Sequence, residues 1–184
     1  MQKQIIQIFL DLLMEKGWAA TTIEDVAKAL SASPQDIAVL LPSKERGFHL
    51  LASYIEKQIF DQLIKEDICT YSEKERAMEV LLVKLEVMTE FKPFLNYVRA
   101  NFLSATEMSL PFAMAELSSL ERILSHYEFT QTSLLAELKR KGLFGIYLLT
   151  MDTWLKDETA DLSPTLAKLD NLLSKGEMFL ERYS

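Results

Sequence analysis

Apolar residues recur along most of the chain at intervals of three and four, the period of helices that turn one face to a core. Between Lys3 and Glu15 they fall at Ile5, Phe9, Leu12 and Leu13, with Ile6 and Leu10 widening the stripe. Gly17 predicts the end of that helix, because glycine accepts the left-handed conformation at which helices stop, and Trp18 follows as a hydrophobic plug. Thr22-Ile23-Glu24-Asp25 sets an N-cap hydroxyl three residues before an acid and predicts a short helix through Val26, Ala27 and Leu30. Ser33-Pro34-Gln35-Asp36 is a second start: Ser33 as cap, Pro34 where no donor is lost, Asp36 near the positive helix end. That helix ends before Pro42, and Ser43 opens a longer one through Phe48, Leu51, Ile55 and Ile59.

Beyond it the pattern stays helical, without strand-like alternation. Ser72-Glu73-Lys74-Glu75 is a capping box that opens a helix to about Glu90, Pro93 starts another, and Pro111 starts a third that runs to about Tyr127. Two final helices are predicted, from about Thr132 to Lys156 and from about Pro164 to Arg182, joined as a hairpin by the acidic run Asp157-Glu158-Thr159-Ala160-Asp161. Both are apolar on more than one face, with Leu172, Phe179 and Leu180 adding to the second, and such a helix must be covered twice.

Composition narrows the class. With 49% hydrophobic and 26% charged residues and only five Gly and five Pro, the 184-residue chain reads as a folded, helix-rich protein, not a disordered one. No stretch approaches the roughly 18 apolar residues that span a bilayer; Leu143 to Met151 is the longest candidate. The opening Met1-Gln2-Lys3-Gln4 lacks the pattern of an export signal, so the expected location is cytoplasmic. The single Cys69 excludes an internal disulfide and reads as an ordinary free thiol. A net charge of −7 argues against broad, charge-driven nucleic-acid binding, though a confined site is compatible with it.

Two short helices separated by a small polar turn and packed on a longer first helix make a helix-turn-helix unit. Three blocks, Glu15-Lys16-Gly17-Trp18, Thr21-Thr22-Ile23-Glu24-Asp25-Val26-Ala27 and Leu41-Pro42-Ser43-Lys44-Glu45, resemble in order and spacing the DNA-binding head of the TetR family of bacterial transcriptional regulators. The resemblance implies an all-α fold: a three-helix head over residues 1–46 and a larger helical ligand-binding and dimerisation domain over 47–184. It also implies a ligand-responsive repressor acting on operator DNA as a homodimer through its last two helices. Met151, Trp154, Leu155, Leu166, Leu169 and Leu173 are the expected dimer contacts. The stretch from Leu143 through Tyr147, Trp154-Leu155-Lys156-Asp157 and on to Leu169-Asp170 is also similar to the COQ9 ubiquinone-biosynthesis family. That second resemblance implies a TetR-type fold that binds lipid or quinone and not DNA.

A recognition helix must offer donors and acceptors to the major groove. Residues 34–40 read Pro-Gln-Asp-Ile-Ala-Val-Leu, where Gln35 alone suits a bidentate base contact and Asp36 has the wrong sign for phosphates. The TetR family usually places a hydroxyl, an aromatic and often a histidine on this helix, so the chain departs from that pattern. Residues 1–50 hold five basic and six acidic side chains, a balance of −1. Thr22, Ser33 and Lys44 are the candidate phosphate anchors, although both hydroxyls serve equally as ordinary caps.

Aromatic and Met residues gather in the middle helices, and two readings stand: core filling, or the lining of a cavity for an apolar or amphipathic molecule. On the second reading Met88, Phe91, Tyr97, Phe102, Phe112 and Tyr147 line it. No GxSxG, HExxH, CxxC, Walker or Rossmann pattern occurs, and His49 and His126 stand apart from other ligand-type residues. The expectation is a binding protein with no catalytic residues, metal or cofactor.

Overall fold

The computed structural model describes residues 1–64, 68–127 and 134–183, less the side chains of residues 69, 134–136 and 180–183. The predicted helix start at Thr132, the Cys69 thiol and the apolar Leu180 side chain lie outside the described residues. The fold is all-α: α1 (Gln2–Ala20), α2 (Ile23–Ala29), α3 (Pro34–Leu40), α4 (Lys44–Leu63), α5 (Glu73–Val87), α6 (Lys92–Asn101), α7 (Thr106–His126), α8 (Leu134–Lys156) and α9 (Ser163–Tyr183). The chain divides into two compact units, residues 1–57 with 90–119, and residues 58–89 with 120–184.

In the first unit the predicted signals act where they stand. Gly17 has φ 78° and breaks α1, after which the helical path resumes as far as Ala20. The buried Thr21 hydroxyl donates to the carbonyls of Leu12 (3.1 Å) and Gly17 (2.8 Å), so the end of α1 is satisfied by a side chain. Thr22 and Asp25 close a reciprocal capping box on α2, and the Ser33 Oγ accepts from the Asp36 amide at the start of α3. Ile5, Phe9, Leu13, Val26, Ile37 and Leu41 are buried. Phe48 gathers an aromatic cluster, with ring centroids 5.8 Å from Phe9, 5.5 Å from Trp18, 6.1 Å from Phe94 and 5.6 Å from Phe112.

Helix α7 corrects one boundary. It begins at Thr106, five residues before the proline that was expected to open it. At this depth Pro111 gives up a single backbone bond, to the Glu107 carbonyl, and burial of Met108 and Phe112 beside it outweighs that loss. The helix expected to reach Glu90 is α-helical only to Val87, and a 3-10 turn covers Met88–Phe91. The 3-10 turn at Ile68–Thr70 has no counterpart in the apolar pattern.

In the second unit α8 and α9 form the expected hairpin, with α5 packed against both. Trp154 and Tyr147 are buried, and the Tyr147 hydroxyl donates to the Met88 sulfur at 3.3 Å. The acidic loop is more than a solvated linker. One oxygen of the buried Asp157 accepts the amide and hydroxyl of Thr159 (3.0 and 2.6 Å), and the other accepts those of Thr165 in the first turn of α9 (3.0 and 2.5 Å).

Candidate functional site

Helix α3 buries only Ile37, so almost its whole surface is outward. That surface carries Gln35, Asp36, Ala38, Val39 and Leu40, and Val39 is 80% exposed. The helix is held by its cap at one end and by the backbone bond from Leu41 to the Ile37 carbonyl at the other. The outer face is therefore a rigid strip with one amide side chain, one carboxylate and two to three apolar groups. Sequence reasoning marked Gln35 on this strip and passed over Ala38 and Val39 as chemistry, although an exposed methyl group is also a base-reading group where it meets thymine.

The three candidate phosphate anchors differ in what holds them. Thr22 is exposed, but its amide and hydroxyl both bond the Asp25 carboxylate, which sits at the α2 N-terminus and pairs with Lys16 at 3.0 Å. The Lys16 ammonium, and then Thr22, hold the Asp25 carboxyl below the usual carboxylate range. Ser33 is exposed and accepts from Asp36. The half-buried Lys44 places its ammonium 2.6 Å from the Trp18 carbonyl and 4.7 Å above the indole ring. It closes the far end of α1, which leaves part of its donor capacity for an outside oxygen.

The expected cavity lining is dispersed. Phe112 packs edge-on with Phe94 in the Phe48 cluster, and Phe91 packs edge-on with Tyr54, both in the first unit. Tyr97 is half-buried and Phe102 is 46% exposed. Met88 and Tyr147 meet each other in the second unit, with the Lys84 ammonium 5.5 Å from the Tyr147 ring. A cleft of about 650 Å³ does open in the second unit among α5, α8 and α9, and none of those six residues lies in its wall.

The expected dimer contacts separate by burial. Trp154, Leu169 and Leu173 are already covered within the chain, whereas Met151, Leu155 and Leu166 are half-buried. Among the described residues the large apolar side chains that α8 and α9 leave exposed are others, Leu138, Leu148, Leu149, Met178 and Phe179. Among the described residues no helix is long and apolar enough to cross a membrane, and no cluster of His, Cys, Asp and Glu is arranged to hold a metal.

No protein-family model matches the sequence, and no curated protein matches it. The fold is similar to that of the TetR transcriptional regulator of Nitrosomonas europaea, at 16% identity and a TM-score of 0.69, over 95% of this chain and 96% of that one. It is also similar to PfmR, a TetR family transcriptional regulator of Thermus thermophilus, at 18% identity and a TM-score of 0.51, over 92% of this chain and 97% of that one. At such identities the likeness is one of fold.

Proposed function

We propose that this chain is a TetR-like transcriptional regulator that sets α3 in the major groove of operator DNA, acts as a homodimer, and answers an apolar or amphipathic ligand bound by its helical body. The observation that carries this reading is α3 itself: a capped helix that buries a single side chain and presents the rest, within a fold shared over nearly its full length with TetR regulators. Gln35 pairs with adenine through its amide, and Ala38 and Val39 meet thymine methyl groups, so the operator contacts fall on A·T pairs. Ser33 and Lys44 hold phosphates on either side. The reading is that of a binding protein, not an enzyme.

Fluorescence anisotropy with DNA from the upstream region of its own gene, across a salt series, tests it. With so few cationic anchors, log K should fall against log salt with a shallow slope of about −2 to −4 for a dimer. Gln35→Ala should cost about 1–3 kcal/mol on that DNA and leave binding to scrambled DNA unchanged. Equal, salt-independent binding to both sequences overturns the proposal.

The 80% exposure of Val39, beside the partly exposed Leu40, favours a second reading, in which the chain binds lipid or quinone and not DNA, as the similarity to the ubiquinone-biosynthesis family implies. Cosedimentation with lipid vesicles that is lost in Val39→Asp, together with the absence of any DNA complex, supports that reading over the first.

A further inference from the structure

The cleft among α5, α8 and α9 has an apolar floor of Ala77, Leu143, Ile146 and Leu173 and a volume of about 650 Å³, within the range of small-molecule sites. The ammoniums of Lys74, Lys139 and Lys141 stand in its wall against two carboxylates, those of Glu73 and Glu177. They differ in how firmly each is held. Lys139 grips both oxygens of Glu73 (2.9 and 3.0 Å), so these two wall charges cancel. Lys74 ties α5 to α9 through Asp170 and the Ser174 hydroxyl, each at 2.8 Å, and its field also reaches Glu177. Lys141 has the loosest hold. Its partner at 2.8 Å is Glu137, one turn back on α8 and outside the wall, and both side chains are at least half exposed, a setting in which an ion pair adds little. Glu137 also lies in the field of Arg140, which stays with it when Lys141 turns elsewhere.

We propose that this cleft binds an amphipathic carboxylate, its apolar body on the Leu143, Ile146 and Leu173 floor and its charge on the Lys141 ammonium in place of Glu137. The exchange puts one carboxylate where another stood, while the apolar body leaves water. A cation of the same shape finds Glu73 held by Lys139 and Glu177 in the field of Lys74, and it meets the excess of ammoniums. The chain as a whole carries −7, but at physiological salt charges beyond about 8 Å are largely screened, so the wall decides the sign. Gly142, next to Lys141 in the wall, makes the space. A Cβ there meets nothing within 4 Å, so a larger side chain enters the cleft without disturbing the helices. This inference rests on the ligand-responsive part of the reading above and names the chemistry of the ligand.

Decanoate and decyltrimethylammonium, alike in tail and opposite in charge, provide the test, with uncharged decanol as the reference. They are titrated calorimetrically, without DNA, into the full chain and into Lys141→Gln, Glu137→Gln and Gly142→Leu, each first checked for fold by circular dichroism. Decanoate should bind at micromolar concentration and at least about fivefold tighter than the cation. Lys141→Gln should weaken decanoate about threefold and leave decanol unchanged, whereas Glu137→Gln, which frees the ammonium, should strengthen decanoate about twofold. Gly142→Leu should abolish binding of all three. Equal affinity for the two ions, preference for the cation, undiminished decanoate affinity in Lys141→Gln, or weakened affinity in Glu137→Gln overturns the proposal. So does a Gly142→Leu chain that binds as before; if that variant fails to fold, the two charge variants decide. A second copy filling the cleft instead would show as no decanoate binding and a Gly142→Leu chain that is monomeric in light scattering, which overturns the proposal as well. Because no DNA is present, failure here leaves the DNA-binding reading standing, and failure on DNA leaves this one.

Discussion

Both oxygens of Asp157 are engaged by the turn that joins α8 to α9, and four donors from Thr159 and Thr165 converge on them. Burial pushes the Asp157 carboxyl up, but the hydrogen bonds from Thr159 and Thr165 outweigh it and hold the group well below the ordinary carboxylate range. A carboxylate that is more acidic when folded adds stability above its unfolded pKa, and that contribution fades as pH falls through the folded value. The melting temperature of the wild type should therefore exceed that of Asp157→Asn at pH 7, and the gap should narrow as the pH drops below about 4. A gap independent of pH would show that the charge is not what the turn uses. Ser31 poses the opposite case: it sits at φ 53° in the turn between α2 and α3, where only glycine is free of Cβ strain. Ser31→Gly should raise stability by about 0.5–1 kcal/mol, measured as a shift in the urea midpoint.

At the scale of elements, the contact of α1 with α4 depends on a missing side chain. A Cβ at Gly47 would overlap the ring of Phe9, and that ring is buried against Phe48, so it has nowhere to retreat. Gly47→Ala should cost about 1–3 kcal/mol in chemical denaturation, despite alanine's better helix propensity. Glycine in a helical stretch gives no sequence sign of this, because the cause is another helix. The caps of α2, α3 and α5 were legible for the converse reason: a Ser or Thr side chain reaches an amide three residues away whatever the tertiary structure does. Pro111 misled because a proline signals a helix start only when burial on either side does not carry the helix through it.

For the whole molecule, the proposed homodimer has an available surface in Leu148, Leu149 and Met178, exposed on α8 and α9. Light scattering at micromolar concentration should give twice the chain mass, and Leu149→Glu should reduce it to one chain while the helical circular dichroism stays unchanged. A wild type that is monomeric in that measurement ends the proposal. The amino-acid sequence by itself determined the helices, their caps and the helix-turn-helix order, since period and capping are settled within a few residues of chain. It also showed that α8 and α9 are apolar on two sides. Only the tertiary structure decided which side is which: Trp154, Leu169 and Leu173 lie inside, while Leu148 and Leu149 face out. It alone brought Lys44 onto the Trp18 carbonyl, 26 residues away, and opened a cleft whose wall comes from three helices. The physical reason is common to these cases. A hydrophobic period tells which faces of a helix avoid water, but what covers each face depends on segments distant in sequence.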